Sequence, residues 1–236
     1  MDYQRIAAKV RNVTDQDYSK YYRDADEVEV QSDNHEHFCR RLRQISSSFG
    51  YGISALDLGC GTGRYFHCLR NVDRLTAVDV SIDMLMQARA PVKRELINIG
   101  RIDLICANVL DIQLPVQFDF VYSIGVFGEH APWDLRTCNR LFDFLKPGGK
   151  LFCTVVDVFS IYPYMTKKRR VAEAITLCLP SLWKGKLRER LRTFYMTERE
   201  LKAIFNKSKF GNYEIRRHVS NARLWKGAHY ECMATK

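Results

Sequence analysis

Three glycines stand within five residues at the end of an apolar run, in the stretch LDLGCGTGRYF at residues 56–66. Glycine loses more conformational entropy on folding than any other residue, so this density is costly unless the backbone itself is needed there. The preceding apolar run has the length and composition of a buried strand. The spacing of Gly59, Gly61 and Gly63 therefore indicates a loop in which bare backbone lies close to a ligand.

Short apolar runs alternate with segments of helical periodicity from residue 53 onward. The runs of strand length are ISALDL (53–58), LTAVDV (75–80), IDLICA (102–107), FDFVYSI (118–124) and KLFCTVV (150–156). Helical spacing covers residues 82–90 after the N-cap Ser81 and residues 135–145 after the N-cap Asp134. This order predicts a parallel sheet with helices on both faces, in which the glycine loop joins the first strand to the first helix.

Residues 197–236 continue the same pattern. Thr197 and Glu200 form a T-x-x-E capping box, which predicts a helix beginning there. Two strand-like runs follow at residues 213–219 and 228–234, with a connection long enough for a hairpin. At the other end of the chain, a further helix is expected from about His35 to Ser48.

Length and composition indicate one globular domain. A chain of 236 residues with 46% hydrophobic and 27% charged residues is long enough to bury a single large core. It contains no run of 18 apolar residues and no apolar signal segment at its start, so we expect a cytoplasmic protein without a membrane span. The eight cysteines include no CxxC pair, and we expect reduced, mostly buried thiols.

Positive charge is concentrated in the last third of the chain. The formal net charge is +10, and residues 160–236 carry 18 Lys or Arg against 6 Asp or Glu. Such a surplus is typical of proteins with an anionic partner, here a nucleic acid, an acidic carrier protein, a phospholipid surface or a carboxylate substrate. It is also typical of solvated helix faces, and the lack of a recognised nucleic-acid-binding motif favours this second interpretation.

The glycine loop and the segments after it resemble the class I S-adenosylmethionine-dependent methyltransferases, in their small-molecule branch. Asp57 and the three glycines match the first motif of that family, acidic-x-G-x-G-x-G, whereas a dinucleotide fingerprint would be G-x-G-x-x-G. Asp79, in VDVSIDML, matches the acidic residue after the second strand, and LKPGGKLF matches the turn before the fifth strand. The resemblance covers residues 53–157.

This resemblance implies a Rossmann-like seven-stranded, mostly parallel α/β sheet with helices on both faces, an antiparallel last strand and a helical cap. It implies S-adenosylmethionine as cofactor, S-adenosylhomocysteine as product, and no metal. Asp79 would accept hydrogen bonds from both ribose hydroxyls. Asn108 stands where the family usually has an Asp against the adenine, with Asp111 three residues later as an alternative. The expected cofactor-binding residues are Asp57, Gly59, Cys60, Gly61, Gly63, Asp79, Val80, Met84, Asn108, Val109 and Ile124.

The family pattern also implies a division of the single domain 1–236. Residues 1–52 are expected to form an N-terminal helical cap, 53–157 the cofactor-binding core, 158–196 a lid insertion, and 197–236 a C-terminal helix and strand hairpin. The acceptor is selected by such caps, and their aromatic residues are candidate acceptor contacts: Tyr18, Tyr22, Tyr162, Tyr164 and Trp183. Aromatic residues in helical segments also serve as plain packing, which is the alternative for each of them.

The loop GVFGEHAPW after the fourth strand carries the candidate catalytic residues, Glu129 and His130. A loop that leaves the carboxyl end of a central strand projects toward the bound ligand. His130 is the preferred general base, because the unperturbed pKa of histidine lies near physiological pH. The alternative is that Glu129 or His130 caps the helix near Asp134 or binds the loop backbone. A base is needed only when the acceptor must lose a proton, and a carboxylate acceptor needs none.

The predicted function is methyl transfer to oxygen or nitrogen of a small molecule, such as an anionic or aromatic metabolic intermediate. One alternative is an RNA methyltransferase that uses the basic last third of the chain. Another is a non-catalytic cofactor-binding module, although its motifs would then be expected to be damaged. We recognise no metal-ligand spacing: His35 and His37 diverge on a helix, and His67, His218 and His229 are expected to be packed or exposed bystanders.

Overall fold

The computed structural model describes residues 22, 24–191, 194–220 and 227–236, without side-chain detail at residues 164, 181 and 182. Within these ranges the chain forms one seven-stranded sheet. The strands are β1 (Ile53–Leu58), β2 (Val72–Asp79), β3 (Ile99–Cys106), β4 (Phe118–Phe127), β5 (Leu145–Val156), β6 (Asn212–Ser220) and β7 (Gly227–Thr235).

The strand order across the sheet is β3-β2-β1-β4-β5-β7-β6. Strands β1 to β5 pair in parallel, and β7 inserts antiparallel between β5 and β6. This arrangement confirms the predicted sheet and its reversed last strand. The order reverses direction between β1 and β4, and ligands of open α/β sheets bind beside such a point at the carboxyl ends of the strands.

The helices flank the strands in the predicted alternation. They are α1 (Asp33–Ser47), α2 (Ile82–Ala88), α3 (Leu135–Asp143), α4 (Val158–Ile161), α5 (Lys167–Cys178), α6 (Ser181–Leu191) and α7 (Glu198–Phe205), and residues 24–29 are also helical. Ser81 and Asp134 cap α2 and α3, and Thr197 and Glu200 form the predicted capping box of α7. In the described ranges, no helix combines the length and the apolar character that crossing a membrane requires.

The sheet separates two hydrophobic cores because successive strand residues point to opposite faces. Leu56 of β1 packs on one face with side chains of α3 and α7. Ala55, its neighbour in β1, packs on the other face with Phe38 and Leu42 of α1. The two predicted helical layers are therefore present, and the central strands are buried between them.

The connection from β1 to β2 differs from the expectation. The sequence predicted a helix directly after the glycine loop, but residues 59–71 contain only a short 3₁₀ helix, Phe66–Cys68. α1, which precedes β1 in the chain, lies beside this segment and shares its apolar core. The sheet face is thus covered by a helix from before the strand, so a full helix within this short crossover is not needed.

The cysteines also differ from the expectation at one place. Cys39 and Cys68 are joined as a disulfide, so the prediction of reduced thiols throughout is wrong for this pair in the structure. The pairing links α1 to the 3₁₀ helix, two segments whose approach depends on the packing just described. The six free cysteines are Cys60, Cys138, Cys153 and Cys232, which are buried, and Cys106 and Cys178, which are exposed.

Candidate active site

The glycine loop follows β1 and uses the backbone freedom of all three glycines. Gly59, Gly61 and Gly63 have φ values of 81°, 54° and 77°, which residues with side chains rarely adopt. A Cβ on Gly59 would lie 2.1 Å from Cγ2 of Val126, and one on Gly63 would lie 2.6 Å from the ring of Phe66. A Cβ on Gly61 would meet no atom within 4 Å. Gly59 and Gly63 are thus required by packing, whereas Gly61 faces open space that a ligand can use.

Asp79, at the end of β2, holds the loop in place. Its Oδ2 accepts a hydrogen bond of 2.8 Å from the amide of Gly61, and its Oδ1 accepts one of 2.9 Å from the amide of Ser81. The first amide belongs to the glycine loop and the second to the N-cap of α2. One carboxylate therefore joins two segments that end neighbouring strands, at the edge where ligands of such sheets bind.

The buried carboxyl group of Asp57 and the half-buried one of Asp79 lie close together at this edge. Burial raises the pKa of Asp57 to about 8, the nearby Tyr122 hydroxyl lowers it, and the charge of Asp79 raises it further. Burial also raises the pKa of Asp79, while hydrogen bonds from Ser81 and Gly61 act in the opposite direction. A cationic ligand group beside Asp57 would favour its charged form, so the site is suited to a ligand that carries positive charge.

The segments after β2 and β3 supply the residues predicted to surround an adenine. Met84, in the first turn of α2, and Ile124 of β4 are buried, and Val80 and Val109 are half-buried. Asn108 is engaged locally: its side-chain amide donates to Asp111 over 2.8 Å, and its carbonyl accepts from the amide of Leu110 over 2.9 Å. Asn108 and its predicted alternative Asp111 therefore form one polar turn beyond β3.

The β4 loop places Glu129 and His130 in a tight turn. The amides of His130 and Ala131 both donate to the carbonyl of Val126, and Asp134 caps α3 through a 2.7 Å hydrogen bond from the amide of Thr137. The helix start is therefore capped by Asp134, rather than by either candidate residue. His130 lies within electrostatic range of Asp79, where its protonated form would favour the charged carboxyl.

Glu129 has a neighbour that the sequence did not reveal. His229 of β7 is buried, and burial lowers its pKa to about 4, with the charge of Glu129 acting in the opposite direction. β7 pairs with β5 so that His229 lies opposite Val156, at the carboxyl end of β5. The sequence expectation for His229 was a packed or exposed bystander; it is packed, and it faces the candidate catalytic loop.

The structure places the predicted acceptor contacts in different surroundings. Tyr22 interacts electrostatically with Arg64, directly behind the glycine loop. Tyr162 is half-buried at the start of a 3₁₀ helix, Tyr162–Tyr164, with the guanidinium of Arg170 6.0 Å above its ring. Trp183 of α6 is 65% exposed. Tyr18 lies outside the described residues, as does the side chain of Tyr164.

A second contact to the loop was also missed by sequence reasoning. Asp26, in the helical segment 24–29, accepts a short hydrogen bond from the Thr62 hydroxyl and forms a 3.1 Å ion pair with Arg64. All three residues are buried. The segment before α1 is thus fastened to the glycine loop by a buried ion pair, and no local sequence signal connects residues so far apart in the chain.

Cys60 is the remaining polar residue of the loop. It is buried, and burial raises the pKa of its thiol well above the usual range. A nucleophilic cysteine needs a thiolate, which this environment disfavours. The sequence interpretation of Cys60 as part of the loop, and not as a nucleophile, is consistent with this environment.

Comparison with known proteins gives a family for this part of the chain. A family model described as "Methyltransferase domain" matches residues 55–149. The chain is 30% identical over 137 residues to malonyl-[acyl-carrier protein] O-methyltransferase of Priestia megaterium, which covers 54% of this chain and 48% of that protein. It is 38% identical over 114 residues to demethylmenaquinone methyltransferase of Leptospira interrogans, covering 46% and 45%. The chain thus spans about half the length of these curated relatives.

Solved structures extend the likeness of the fold to most of the chain. The crystal structure of the N-methyltransferase NodS from Bradyrhizobium japonicum, in complex with S-adenosyl-L-homocysteine, superposes with a TM-score of 0.58. The match covers 88% of this chain and 90% of NodS at 14% sequence identity. At this identity the similarity concerns the fold alone.

Proposed function

We propose that the chain is a class I S-adenosylmethionine-dependent methyltransferase that transfers the methyl group of that cofactor to a small-molecule acceptor, as the family-model match over residues 55–149 and the methyltransferase relatives support. The observation that carries the proposal is the junction of Gly61 and Asp79. The loop amide is held by the Asp79 carboxylate, and the space beside Gly61 is open. A nucleoside that approaches Gly61 would find the bare backbone and an acidic side chain in contact with each other.

The residues around this junction fit the cofactor chemically. Asp79 has carboxylate lone pairs suited to the two ribose hydroxyls. Val80, Met84, Asn108, Val109 and Ile124 are proposed to line the adenine, with Asn108 as the polar contact. Asp57, together with Gly59, Cys60, Gly61 and Gly63, is proposed to bind the methionine end, where the positive charge of the ammonium group would favour the ionised form of Asp57.

The protein's main task in such a reaction is alignment. When bound, the cofactor would supply an activated methyl group on a positive sulfur, and its transfer to the acceptor atom would leave the sulfur with the bonding pair as a neutral thioether. His130 is proposed to take the proton that an oxygen or nitrogen acceptor loses, and Glu129 to orient the acceptor or His130. His229, buried beside Glu129, fixes the environment of that carboxylate.

The acceptor is proposed to lie between the β4 loop and the flanking segments. Tyr22 is the best-supported of the aromatic candidates, because it lies close enough to Arg64, the residue after the glycine loop, to interact with it electrostatically. Tyr162 borders the helical insertion that follows β5. Tyr18, Tyr164 and Trp183 remain candidates on the sequence argument alone, and the exposure of Trp183 would suit a residue that closes on an acceptor only after binding.

The basic last third of the chain does not favour RNA over a small molecule. Several of its cations are engaged with carboxylates: Lys184 and Arg188 with Glu200, Arg217 with Asp157, and Lys209 with Asp143. The relatives reported above are named for malonyl-[acyl-carrier protein] and for demethylmenaquinone, and neither name refers to RNA. We therefore propose an anionic or aromatic small molecule as the acceptor.

The proposal is tested by transfer of a labelled methyl group to a panel of carboxylate, phenol and amine acceptors. We expect at least one class to be methylated, and for a phenol or amine we expect His130→Ala to lower turnover by about 10²-fold or more, the usual contribution of a general base. Glu129→Gln is compared with Glu95→Gln, which removes an exposed carboxylate. Wild-type activity in both His130→Ala and Glu129→Gln would exclude proton abstraction by this pair. Transfer to no acceptor, despite binding of the cofactor, would contradict the proposed function.

A further inference from the structure

Four buried side chains meet behind the glycine loop and take no part in the proposed reaction. His35 and Cys39 lie one turn apart on the same face of α1, and His67 and Cys68 belong to the 3₁₀ helix Phe66–Cys68. All four are at most 5% exposed. Their Nε2 and Sγ atoms lie within 4.8 Å of one another. Two imidazoles and two cysteine sulfurs thus converge on one point in the protein interior.

Three of the distances around this point fit the edges of a tetrahedron. His35 Nε2 lies 3.3 Å from Cys39 Sγ, and His67 Nε2 lies 3.8 Å from Cys39 Sγ and 3.5 Å from Cys68 Sγ. Zinc binds sulfur at about 2.3 Å and nitrogen at about 2.0–2.1 Å, so the edges of a tetrahedral site run from roughly 3.3 to 3.8 Å. All three nitrogen-to-sulfur distances therefore match the edges of such a site.

We propose that in the reduced chain His35, Cys39, His67 and Cys68 bind one Zn²⁺ ion as a structural site. Each cysteine loses its thiol proton on binding, and two thiolates balance the charge of the ion. A complex with two thiolates and two neutral imidazoles has no net charge, which suits a fully buried position. Four nitrogen and sulfur ligands leave no open position for water, as in structural rather than catalytic zinc sites.

The disulfide between Cys39 and Cys68 is the alternative state of the same side chains. Their Cα atoms are 4.9 Å apart, within the usual range for a disulfide. A disulfide, however, does not require two imidazoles directed at its sulfurs. To bind zinc, the two sulfurs have to separate to about 3.8 Å, the edge expected for two sulfur ligands. A dithiol or another two-electron reductant first has to cleave the disulfide to two thiols, and rotation of the freed side chains would then supply this separation.

A second histidine cluster lies on another face of α1 and carries no such proposal. His37, His218 and Glu231 are close enough to hold an ion, but Glu231 is also paired with Arg41 over 3.1 Å. The rings of His37 and His218 are stacked at 3.8 Å. Glu231 is thus already neutralised by an arginine that a metal would have to displace or repel.

The proposed zinc would join the cap to the cofactor loop. Its ligands come from α1 and from the 3₁₀ helix after the glycine loop, and the Asp26–Arg64 ion pair joins the helical segment before α1 to the same loop. The ion would therefore hold the end of the loop in place without reaching the reacting groups. This role does not depend on the proposed methyl transfer, since it concerns folding and loop position alone.

The test is metal analysis of the full chain, purified without a histidine tag in a non-chelating reductant. We expect about one zinc per chain, the stoichiometry of a four-ligand site. Cys39→Ala and Cys68→Ala should each reduce it to about a tenth or less, whereas Cys138→Ala, which changes a buried free cysteine in the opposite core, should retain it. A soluble wild-type chain that holds no zinc after incubation with zinc chloride and desalting would overturn the proposal.

Two further measurements keep the proposal testable if the variants do not fold. Cobalt reconstitution of the wild-type chain should give the intense visible absorption and the thiolate charge-transfer band of tetrahedral coordination; an octahedral spectrum without that band would contradict the site. Thiol titration of the chain, denatured with a chelator but no reductant, should find all eight cysteines reactive. Six reactive thiols together with no bound metal would assign the pair to the disulfide instead.

Discussion

The segment that follows β1 has two halves built by opposite means. Residues 59–63 use glycines at positive φ and leave the backbone beside Gly61 open. Residues 64–68 are all buried and are fastened by side chains, from Arg64 paired with Asp26 to Cys68 beside Cys39. A ligand site of this kind needs bare backbone, and bare backbone has few contacts of its own. Residues 59–63 are therefore held in place by the side-chain contacts of residues 64–68.

The largest effect is expected from removal of the Asp26–Arg64 ion pair, which holds the second half of the segment in place. Asp26→Ala leaves the buried Arg64 guanidinium without its carboxylate, and loss of one partner of a buried pair costs about 3–5 kcal/mol. We expect a large drop in the free energy of unfolding, measured by urea denaturation. Asp24→Ala, which removes an exposed carboxylate from the same helical segment, is the matched control. Equal stability of the two variants would show that the ion pair is unimportant.

Two glycine variants separate packing from ligand access within the first half. Gly59→Ala combines strain at positive φ with a collision against Val126, so we expect a loss of stability of about 2–4 kcal/mol. Gly61→Ala has the strain without the collision and should cost about 1–2 kcal/mol. For cofactor binding we expect the opposite order: Gly61→Ala should weaken binding more than Gly59→Ala, because a methyl group at residue 61 would enter the proposed cofactor space. Thermal unfolding and binding of S-adenosylhomocysteine check both; a Gly61→Ala variant that binds normally would place the cofactor elsewhere.

The buried carboxyl group of Asp57, at the end of β1, should make the stability of the protein depend on pH. The pKa of Asp57 is raised from its ordinary value near 3.8 to about 8, so the folded state binds the proton more tightly than the unfolded state. Stability should therefore fall as pH rises from about 4 toward 8. Asp57→Asn should remove this cost and stabilise the unliganded protein at pH 8 by at least about 2 kcal/mol, within the roughly 5 kcal/mol that the raised pKa allows, with little effect near pH 4. Denaturation curves at both pH values measure it; an equal change at both would contradict the assignment.

The smallest effect is expected at Asn108. Its side chain is held by Asp111 and by the amide of Leu110, so it adds at most one neutral hydrogen bond to the adenine. Asn108→Ala should weaken binding of S-adenosylhomocysteine by about fivefold, or about 1 kcal/mol. Gln117→Ala, an exposed amide before β4, is the control. A loss as large as that of an Asp79 variant would move the principal polar contact to Asn108.

Much of the fold could be predicted because its signals are local. Apolar runs predicted the strands, and short polar N-caps predicted the starts of α2, α3 and α7. The boundaries were less accurate: β5 begins at Leu145 rather than residue 150, because Leu145 already pairs with Phe118, and the KPGG residues form an irregularity before Lys150 pairs with Phe120. The helix after the glycine loop was predicted from the alternation of strands and helices, and it is absent because α1 already covers that face.

The candidate site likewise contains residues that the sequence predicted and contacts that it did not. Asp79 and the glycines could be predicted as candidates because a ligand-binding backbone restricts residue type at fixed spacing. The roles of Asp26, His229 and the four residues around Cys39 could not, because each contact joins segments separated by at least one strand. For these residues, the sequence gives type and position, and only the packing of α1 and β7 gives the partner.

Calorimetric titration with S-adenosylhomocysteine, with NAD as a control ligand, tests whether the junction of Gly61 and Asp79 binds the proposed cofactor. The wild-type chain should bind S-adenosylhomocysteine and not NAD. Asp79→Ala should weaken that binding by about 10²-fold or more, since two hydrogen bonds to a charged group are lost. Asp103→Ala, which removes a carboxylate of β3 that is paired with the exposed Arg74 of β2 and Arg101 of β3, should bind as the wild type does. Binding of NAD instead, binding of neither ligand, or undiminished binding by Asp79→Ala would contradict the proposed cofactor site.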